Sequence, residues 1–408
     1  MLRFEDALAR ILALGSPPLA GESVDLEEAE GRVLAEDLVA SADLPGFDYS
    51  SMDGYALRSR DLGGEAPYRL PVKGESRTGG VPVALEPGTT MRIFTGAAIP
   101  SGADAVMMQE NVARDGEVAV LSAGTRPGQN IRRRGDDLAA GSVALTRGTR
   151  LRPAHLALAA ALDRAQVLVA KRPIVTVLST GDELRRPGTD PVPGTIPESV
   201  TVALRATSRR AGATTHPSPF LRDERVATER AFAAALETSD VLVTVGGVSV
   251  GDHDLVRPAL EAVGVKLDFW RVAIKPGKPI AIGTFARPGR RDALVVGLPG
   301  NPASAMVTFA LFGVPLLRAL QGDARPFPAF ARARMTRAHA HDAGRLEFAR
   351  AVVSQAEAGF SVTTFGNQAS GAVTTMAQAD ALVCIPEEAT GVGAGDEVDV
   401  LLMSDLCG

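Results

Sequence analysis

Three apolar runs, at residues 174–178, 240–245 and 293–298, each stop at a tight string: Ser179-Thr180-Gly181, Gly246-Gly247 and Pro299-Gly300-Asn301-Pro302. Segments with helical spacing lie between them, at 201–211, 223–237 and 255–263. Continuously apolar strands that alternate with helices read as a parallel α/β sheet, whose two faces are both covered. Ligands of such sheets bind beyond the carboxyl ends of the strands. The helix after Pro302 is apolar all round (Ala305, Met306, Val307, Phe309, Leu311), so burial is expected for it.

A chain of 408 residues is too long for one ordinary core. Phe4, Leu8, Ile11 and Leu12 follow helical spacing, and a short segment covers 22–37. From 44 to about 145, short β-like runs (68–72, 90–94, 105–108, 118–121) are broken by Gly and Pro and predict a β-rich module. A helix opening near Pro153 is expected to pack back on the N-terminal helix, which makes the β module an insertion. Beyond 325, the runs 346–353, 360–365, 382–385 and 398–402 suggest a small β barrel or sandwich. The expected fold is thus multidomain, α/β and β. A discontinuous helical linker domain (1–44 plus 146–171) carries an inserted β-rich domain (45–145). An α/β domain (172–322) and a C-terminal β barrel (323–408) follow.

Net charge is −5. The densest basic run, Arg132-Arg133-Arg134, is too short to grip nucleic acid, so no such partner is expected. No uninterrupted run reaches the ~18 apolar residues of a membrane span. The first fourteen residues carry Glu5, Asp6 and Arg10 among their apolar positions and do not resemble a signal peptide. Cys384 and Cys407 form no metal-type or redox-type pair. A reducing, cytoplasmic setting is the expectation.

The unusual residues gather at the predicted strand ends. In Ser179-Thr180-Gly181-Asp182-Glu183, the glycine lets backbone approach a ligand while the acids reach a metal or polar group; an ordinary Asp/Gly turn is the structural alternative. In Gly246-Gly247-Val248-Ser249-Val250-Gly251-Asp252-His253-Asp254, glycine N–H groups could face an anion. The aspartates could hold Mg²⁺ against phosphate oxygens. A loop with helix-capping aspartates is the alternative. Lys275-Pro276-Gly277-Lys278-Pro279 fixes two ammonium groups on a stiff turn, and lysine serves phosphate as a point charge; a solvated turn is the alternative. Asn301 suits an N-cap and Pro302 a first helical residue, a purely structural account, although an oxyanion at that helix end would also be favoured. Earlier in the chain, residues 48–55 and 132–137 bring acids beside hydroxyls and arginines.

In order along nearly the whole chain, these strings resemble the molybdopterin molybdenumtransferase family, MoeA in bacteria and the E domain of gephyrin in animals. The strings are Ser51-Met52-Asp53-Gly54-Tyr55-Ala56, Thr95-Gly96-Ala97, residues 131–137, 179–184, 246–254, 274–279 and 297–302, and Gln368-Ala369-Ser370-Gly371. The resemblance implies an elongated homodimeric enzyme whose α/β domain binds molybdopterin. It would take adenylylated molybdopterin and molybdate, cleave the adenylyl pyrophosphate in a Mg²⁺-dependent step, insert molybdenum and release AMP. It also implies an active site combining the inserted domain of one subunit with the α/β domain of the other, and contact with the upstream molybdopterin adenylyltransferase.

Matched position by position, Asp53, Asp137, Lys275 and Lys278 become the catalytic set. Glu183, Asp223 and Asp254 become the metal set. Thr95, Arg132, Ser179, Thr180, Gly181, Gly246, Gly247, Ser249, Gly251, Pro299, Gly300, Asn301, Pro302 and Ser370 become substrate contacts. One position departs from the pattern: in Ile196-Pro197-Glu198-Ser199-Val200 the family's asparagine is Val200, which cannot hydrogen-bond a pterin or phosphate. Two other functions are compatible with parts of the chain. One is molybdopterin adenylyl transfer, because the α/β module resembles that stand-alone enzyme. The other is a non-catalytic scaffold. Tungstate has nearly the size and charge of molybdate, and no residue decides between them.

Overall fold

A computed structural model describes residues 1–81, 83–217, 220–247, 255–277, 279–356 and 359–407. Strands Thr214–His216, Ile174–Ser179, Val241–Val245 and Ala293–Leu298 lie side by side and parallel, in that spatial order. The sheet is not wholly parallel. Pro279–Phe285 and Lys266–Arg271 extend it antiparallel past Ala293–Leu298. Sequence reading missed these two: Lys266–Arg271 mixes charged with apolar residues, and Pro279–Phe285 follows directly on a Pro/Gly turn.

Alternation along each parallel strand divides its side chains between two cores. Val241, Val243, Val245, Leu294, Val296 and Leu298 face one core, while Leu242, Ala293 and Val295 face the other. The first core contains the predicted buried helix. It runs as Pro302–Thr308, a π-helical turn Phe309–Gly313, and Val314–Leu320. By length and composition this 19-residue stretch could cross a membrane, which the run-length argument had not foreseen, but 89% of its apolar window is buried inside the protein. It is the central core helix.

The N-terminal helix, Phe4–Leu14, packs on that central helix and not on the one at Pro153–Ala161 as expected. Its buried stripe, Phe4, Ala7 and Ile11, belongs to the α/β core. The Pro153 helix buries only Ala159 and lies over the turn Leu26–Glu28. The physical reason is aromatic packing: the Phe4 ring lies 5.5 Å from Phe312, 5.8 Å from Phe327 and 5.2 Å from Phe348. The Pro153 helix, an Ala/Leu segment, offers no comparable surface.

Gly21–Asp25 pairs antiparallel with Gln166–Ala170 in the linker domain, and the chain enters and leaves the insertion beside a second antiparallel pair, Leu38–Val39 with Val143–Leu145. The body of the insertion is a six-stranded sheet in the order Ala105–Met108, Gly54–Leu57, Thr90–Ile93, Tyr68–Ser76, Val118–Leu121, Val112–Asp115. At the other end of the chain, Leu346–Ala356, Gly359–Thr364, Ala331–Met335, Glu397–Leu402 and Ala381–Ile385 pair in a ring that closes on Leu346–Ala356, a five-stranded barrel. Ala349 and Ala351 fill its interior. Phe348, one residue out of phase, points into the α/β core with Leu382 and Leu401.

Phe4 therefore joins three parts of the molecule. Phe4→Ala is expected to lower stability by about 3 kcal/mol or more, the usual cost of emptying a buried aromatic site. Urea titration followed by circular dichroism measures it, and a loss below about 1 kcal/mol would show that the ring cluster does not tie the parts together.

Candidate functional site

The parallel strands end in a cleft of about 450 Å³. Ser179, Thr180, Gly181 and Glu183 line it from the end of the first strand, Gly246 and Gly247 from the second, and Gly300, Asn301 and Pro302 from the third. Asp223 joins them from the segment before the helix Arg225–Thr238. Three strings read separately in the sequence thus converge on one space. Gly246 and Gly247 have φ of +93° and +62°, a left-handed pair that favours glycine and turns the backbone sharply after the strand.

The N–H groups there are largely spoken for. Thr180 N–H bonds the carbonyl of Val245 (3.3 Å), Gly181 N–H that of Leu221 (3.1 Å) and Gly246 N–H that of Leu298 (3.0 Å). The Ser179 hydroxyl differs. It is buried on the cleft wall and has no hydrogen-bond partner among the described residues. A buried hydroxyl without a partner carries a desolvation cost that a polar ligand would relieve.

Asn301 and Pro302 do begin a helix, as N-cap and first residue, but the Asn301 side chain makes no capping bond. The expected oxyanion site at this helix end is occupied. The Ser370 carbonyl accepts from the N–H groups of Ala303 (2.9 Å) and Ser304 (3.3 Å). Ser370 thus contributes its backbone. Its loop is held by the buried Arg350, whose guanidinium donates to the carbonyls of Ala369 (3.0 Å) and Ala372 (3.1 Å) and to Gln368 Oε1 (3.1 Å). Burial pushes the Arg350 pKa down from its ordinary value. Arg350 was missed in the sequence, although a charged residue inside an apolar strand run is a visible signal.

A smaller cavity of about 240 Å³ adjoins the cleft through Gly247, Gly300 and Asn301, and is also lined by Pro299, Gly277, Pro279 and Ser304. Lys275 lines neither space. Its ammonium meets Glu347 Oε1 of the barrel at 3.2 Å. Burial alone would raise the Glu347 pKa, but donors from His339, His341 and Lys275 outweigh it and bring the carboxyl down to about 2. Ser249, Gly251, Asp254 and Lys278 lie outside the described residues.

Glu183 and Asp223 are the acids of the expected metal set found on the cleft. Among the described residues no group of three or more His, Cys, Asp or Glu side chains comes together as a metal site. Val200 is the first residue of the helix Val200–Arg210, buried, and part of the cleft wall. The neighbouring Glu198 is also buried and caps that helix. Its carboxylate accepts from Thr201 N–H (2.8 Å) and from the Thr201 hydroxyl.

None of Asp53, Thr95, Arg132 and Asp137 lines the cleft. They sit on the insertion, where Asp53 Oδ1 accepts from Thr95 N–H (2.7 Å) and Oγ1 (2.8 Å). These bonds, with the charge of Arg92, hold its carboxyl below the usual carboxylate range. Arg92, also missed in the sequence, is itself placed 5.1 Å from both the Tyr55 and Phe94 ring centres. A Cβ on Gly54 would stand 2.0 Å from the Met107 carbonyl oxygen, so only glycine fits beside Asp53 in this sheet. Arg133 and Arg134 are tied to Asp48 and Asp43, each at 2.6 Å. Arg132 is exposed and makes no ion pair among the described residues, and Asp137 is fixed by its N–H on the Leu44 carbonyl (3.0 Å).

Comparison with known proteins matches the MoeA N-terminal region (domains I and II) at residues 2–162, a probable molybdopterin binding domain at 176–319, and the MoeA C-terminal region (domain IV) at 332–403. The chain is 36% identical to the molybdopterin molybdenumtransferase of Haemophilus influenzae over 100% of both chains. It is 38% identical to molybdopterin molybdenumtransferase 2 of Mycobacterium tuberculosis, over 93% of this chain and 94% of that one. The crystal structure of the molybdopterin biosynthesis MoeA protein of Pyrococcus horikoshii superposes with a TM-score of 0.85 at 29% identity, covering 98% of this chain and 100% of that chain.

Thr95→Val removes one of the two bonds to Asp53, so the Asp53 pKa is expected to rise while staying below the ordinary value. A carboxyl-carbon NMR titration reads this, and an unchanged pKa would mean that the hydroxyl bond is not formed. Glu347 sets a second expectation. Its folded pKa of about 2 lies below the ordinary 4.5. Its stabilising contribution is therefore complete above pH 4.5 and lost as pH falls from there toward 2. The melting temperatures of wild type and Glu347→Gln should differ at neutral pH and converge in acid; an equal gap at pH 7 and about pH 3 would contradict the depressed pKa.

Proposed function

The chain belongs to the MoeA family of molybdopterin molybdenumtransferases, and from that premise we propose that it transfers molybdenum from molybdate to adenylylated molybdopterin with release of AMP. The observation that carries this reading is the convergence of the three strand-end strings, Glu183 and Asp223 on one cleft large enough for a pterin-sized ligand. Ser179 and Thr180 would bond polar edges of the substrate, and the glycines would allow it to approach the backbone. Lys275 and Lys278 would offer positive charge to the oxyanion.

The donor set suits magnesium: Glu183 and Asp223 are hard oxygen ligands, and Asp254 would complete the set. When bound, Mg²⁺ would neutralise pyrophosphate charge and act as a Lewis acid at phosphorus. Asp53, Thr95, Arg132 and Asp137 lie away from the cleft of their own chain. In a homodimer, a second copy would bring its inserted module over the cleft and complete the site. The reaction would take place in the cytoplasm and draw its substrate from the upstream molybdopterin adenylyltransferase.

The test is anaerobic incubation with adenylylated molybdopterin, Mg²⁺ and molybdate, following AMP. Molybdate-dependent release is expected, reduced roughly a hundredfold in Asp53→Ala, the scale of losing one positioned acid–base group. Tight substrate binding without AMP release would overturn the reading in favour of a binding role. Consumption of ATP with molybdopterin would overturn it in favour of adenylyl transfer.

A further inference from the structure

Lys275 is half of a small construction shared by two domains. Ile274 and Lys275 pair in parallel with Leu346 and Glu347, which hooks the α/β domain to the first long strand of the barrel. The Glu347 side chain is 2% exposed. Oε1 meets the Lys275 ammonium at 3.2 Å, and Oε2 meets His341 Nδ1 at 2.6 Å. His339 stands farther off, with Nε2 at 3.6 Å, and its own Nδ1 is 3.1 Å from Thr364 Oγ1.

The His341 side chain is fully buried, and its Nε2 has no hydrogen-bond partner among the described residues. A tautomer with the proton on Nδ1 accounts for both facts: the N–H donates to the carboxylate, and Nε2 is left as a bare lone pair. The imidazole thus fixes one carboxylate oxygen and aims the other at the lysine.

A free lysine ammonium swings on four methylene groups and loses that freedom when it binds an anion. This one is already held, and its side chain is one-third exposed. The strand ends at Lys275, and Gly277, two residues on, lies on the wall of the smaller cavity. Among the described acids along this stretch, Glu347 alone is buried against the lysine. Its strand neighbours Phe348 and Ala349 serve the two apolar cores.

We propose that Glu347 is a positioning residue for the reaction: backed by His341, it pins the ammonium of Lys275, two residues before the cavity-wall Gly277, so that the C-terminal barrel sets where an oxyanion substrate finds its positive charge. This rests on the reading that the charge of Lys275 serves the substrate.

A double-mutant cycle tests it, with AMP release measured against molybdate concentration for wild type, Lys275→Ala, Glu347→Gln and the double variant. Glu347→Gln is expected to raise the KM for molybdate roughly tenfold with kcat changed less than about twofold, the scale of a coupled pair in direct contact. The double variant should then be no worse than Lys275→Ala. Glu347→Asp keeps the charge but draws it back by one methylene, and should fall between wild type and Glu347→Gln; it also serves if Glu347→Gln melts too low to assay. Losses that multiply in the double variant would overturn the proposal and leave Glu347 a stabiliser of the barrel. Lys275→Ala with wild-type kinetics would overturn the reading on which the proposal rests, and the proposal with it.

Discussion

The molecule depends on the need to cover one helix on every side. Residues 302–320 are apolar around their whole circumference, and each buried Leu or Phe contributes about 1.5–3 kcal/mol only when its neighbours keep water out. The sheet covers one flank through Val243, Val296 and Leu298. Phe4, Ala7 and Ile11 of the N-terminal helix cover another, and Phe348, Leu382 and Leu401 of the barrel a third. Three parts far apart in sequence are drawn to one axis by a single requirement. The N-terminal end of that axis is where the cleft opens.

Electrostatics at the opening is more economical than the glycine strings suggest. Two of the helix-end N–H groups bond a carbonyl from the barrel, and those of Thr180, Gly181 and Gly246 bond neighbouring carbonyls. Glu183 and Asp223 on the wall would repel a bare pyrophosphate. In the proposed reaction a divalent ion standing between them would turn that repulsion into attraction, so that charge would select the metal complex over the free ligand.

Much of this was legible in the sequence. Apolar runs with helices between them predict the α/β sheet, and the cleft lies where such sheets place ligands. The barrel and the insertion follow from short runs punctuated by Gly and Pro. Other features were hidden for physical reasons. The antiparallel strand Lys266–Arg271 carries charged residues that break the pattern of a buried strand, and the short apolar run of Pro279–Phe285 abuts a Pro/Gly turn. The N-terminal helix went to the aromatic cluster because its partners, Phe312 and Phe348, lie more than three hundred residues away, beyond the reach of local pattern. Ser370 was singled out as a residue type, yet its carbonyl does the binding, and no side-chain argument finds a carbonyl. Glu198 lines the cleft and also accepts from Thr201 at the start of the next helix, a double placement that its string does not reveal. Asp53 and Asp137 do not line the cleft of their own chain, in keeping with the two-subunit site that the resemblance implies.

The cap that Ser370 places on the central helix has a consequence for how the protein is born. Chains emerge from the ribosome N-terminus first, and domains begin folding in that order. The α/β strands are complete well before Ser370, Leu382 and Leu401 have been made. Until then the helix end presents two open amide donors beside the cleft, and an apolar flank faces water. A nascent chain therefore cannot hold its cleft in finished form. A chain that stops before Ser370 lacks the carbonyl that binds this helix end beside the cleft, so the finish of the cleft wall depends on residues made long after its strands.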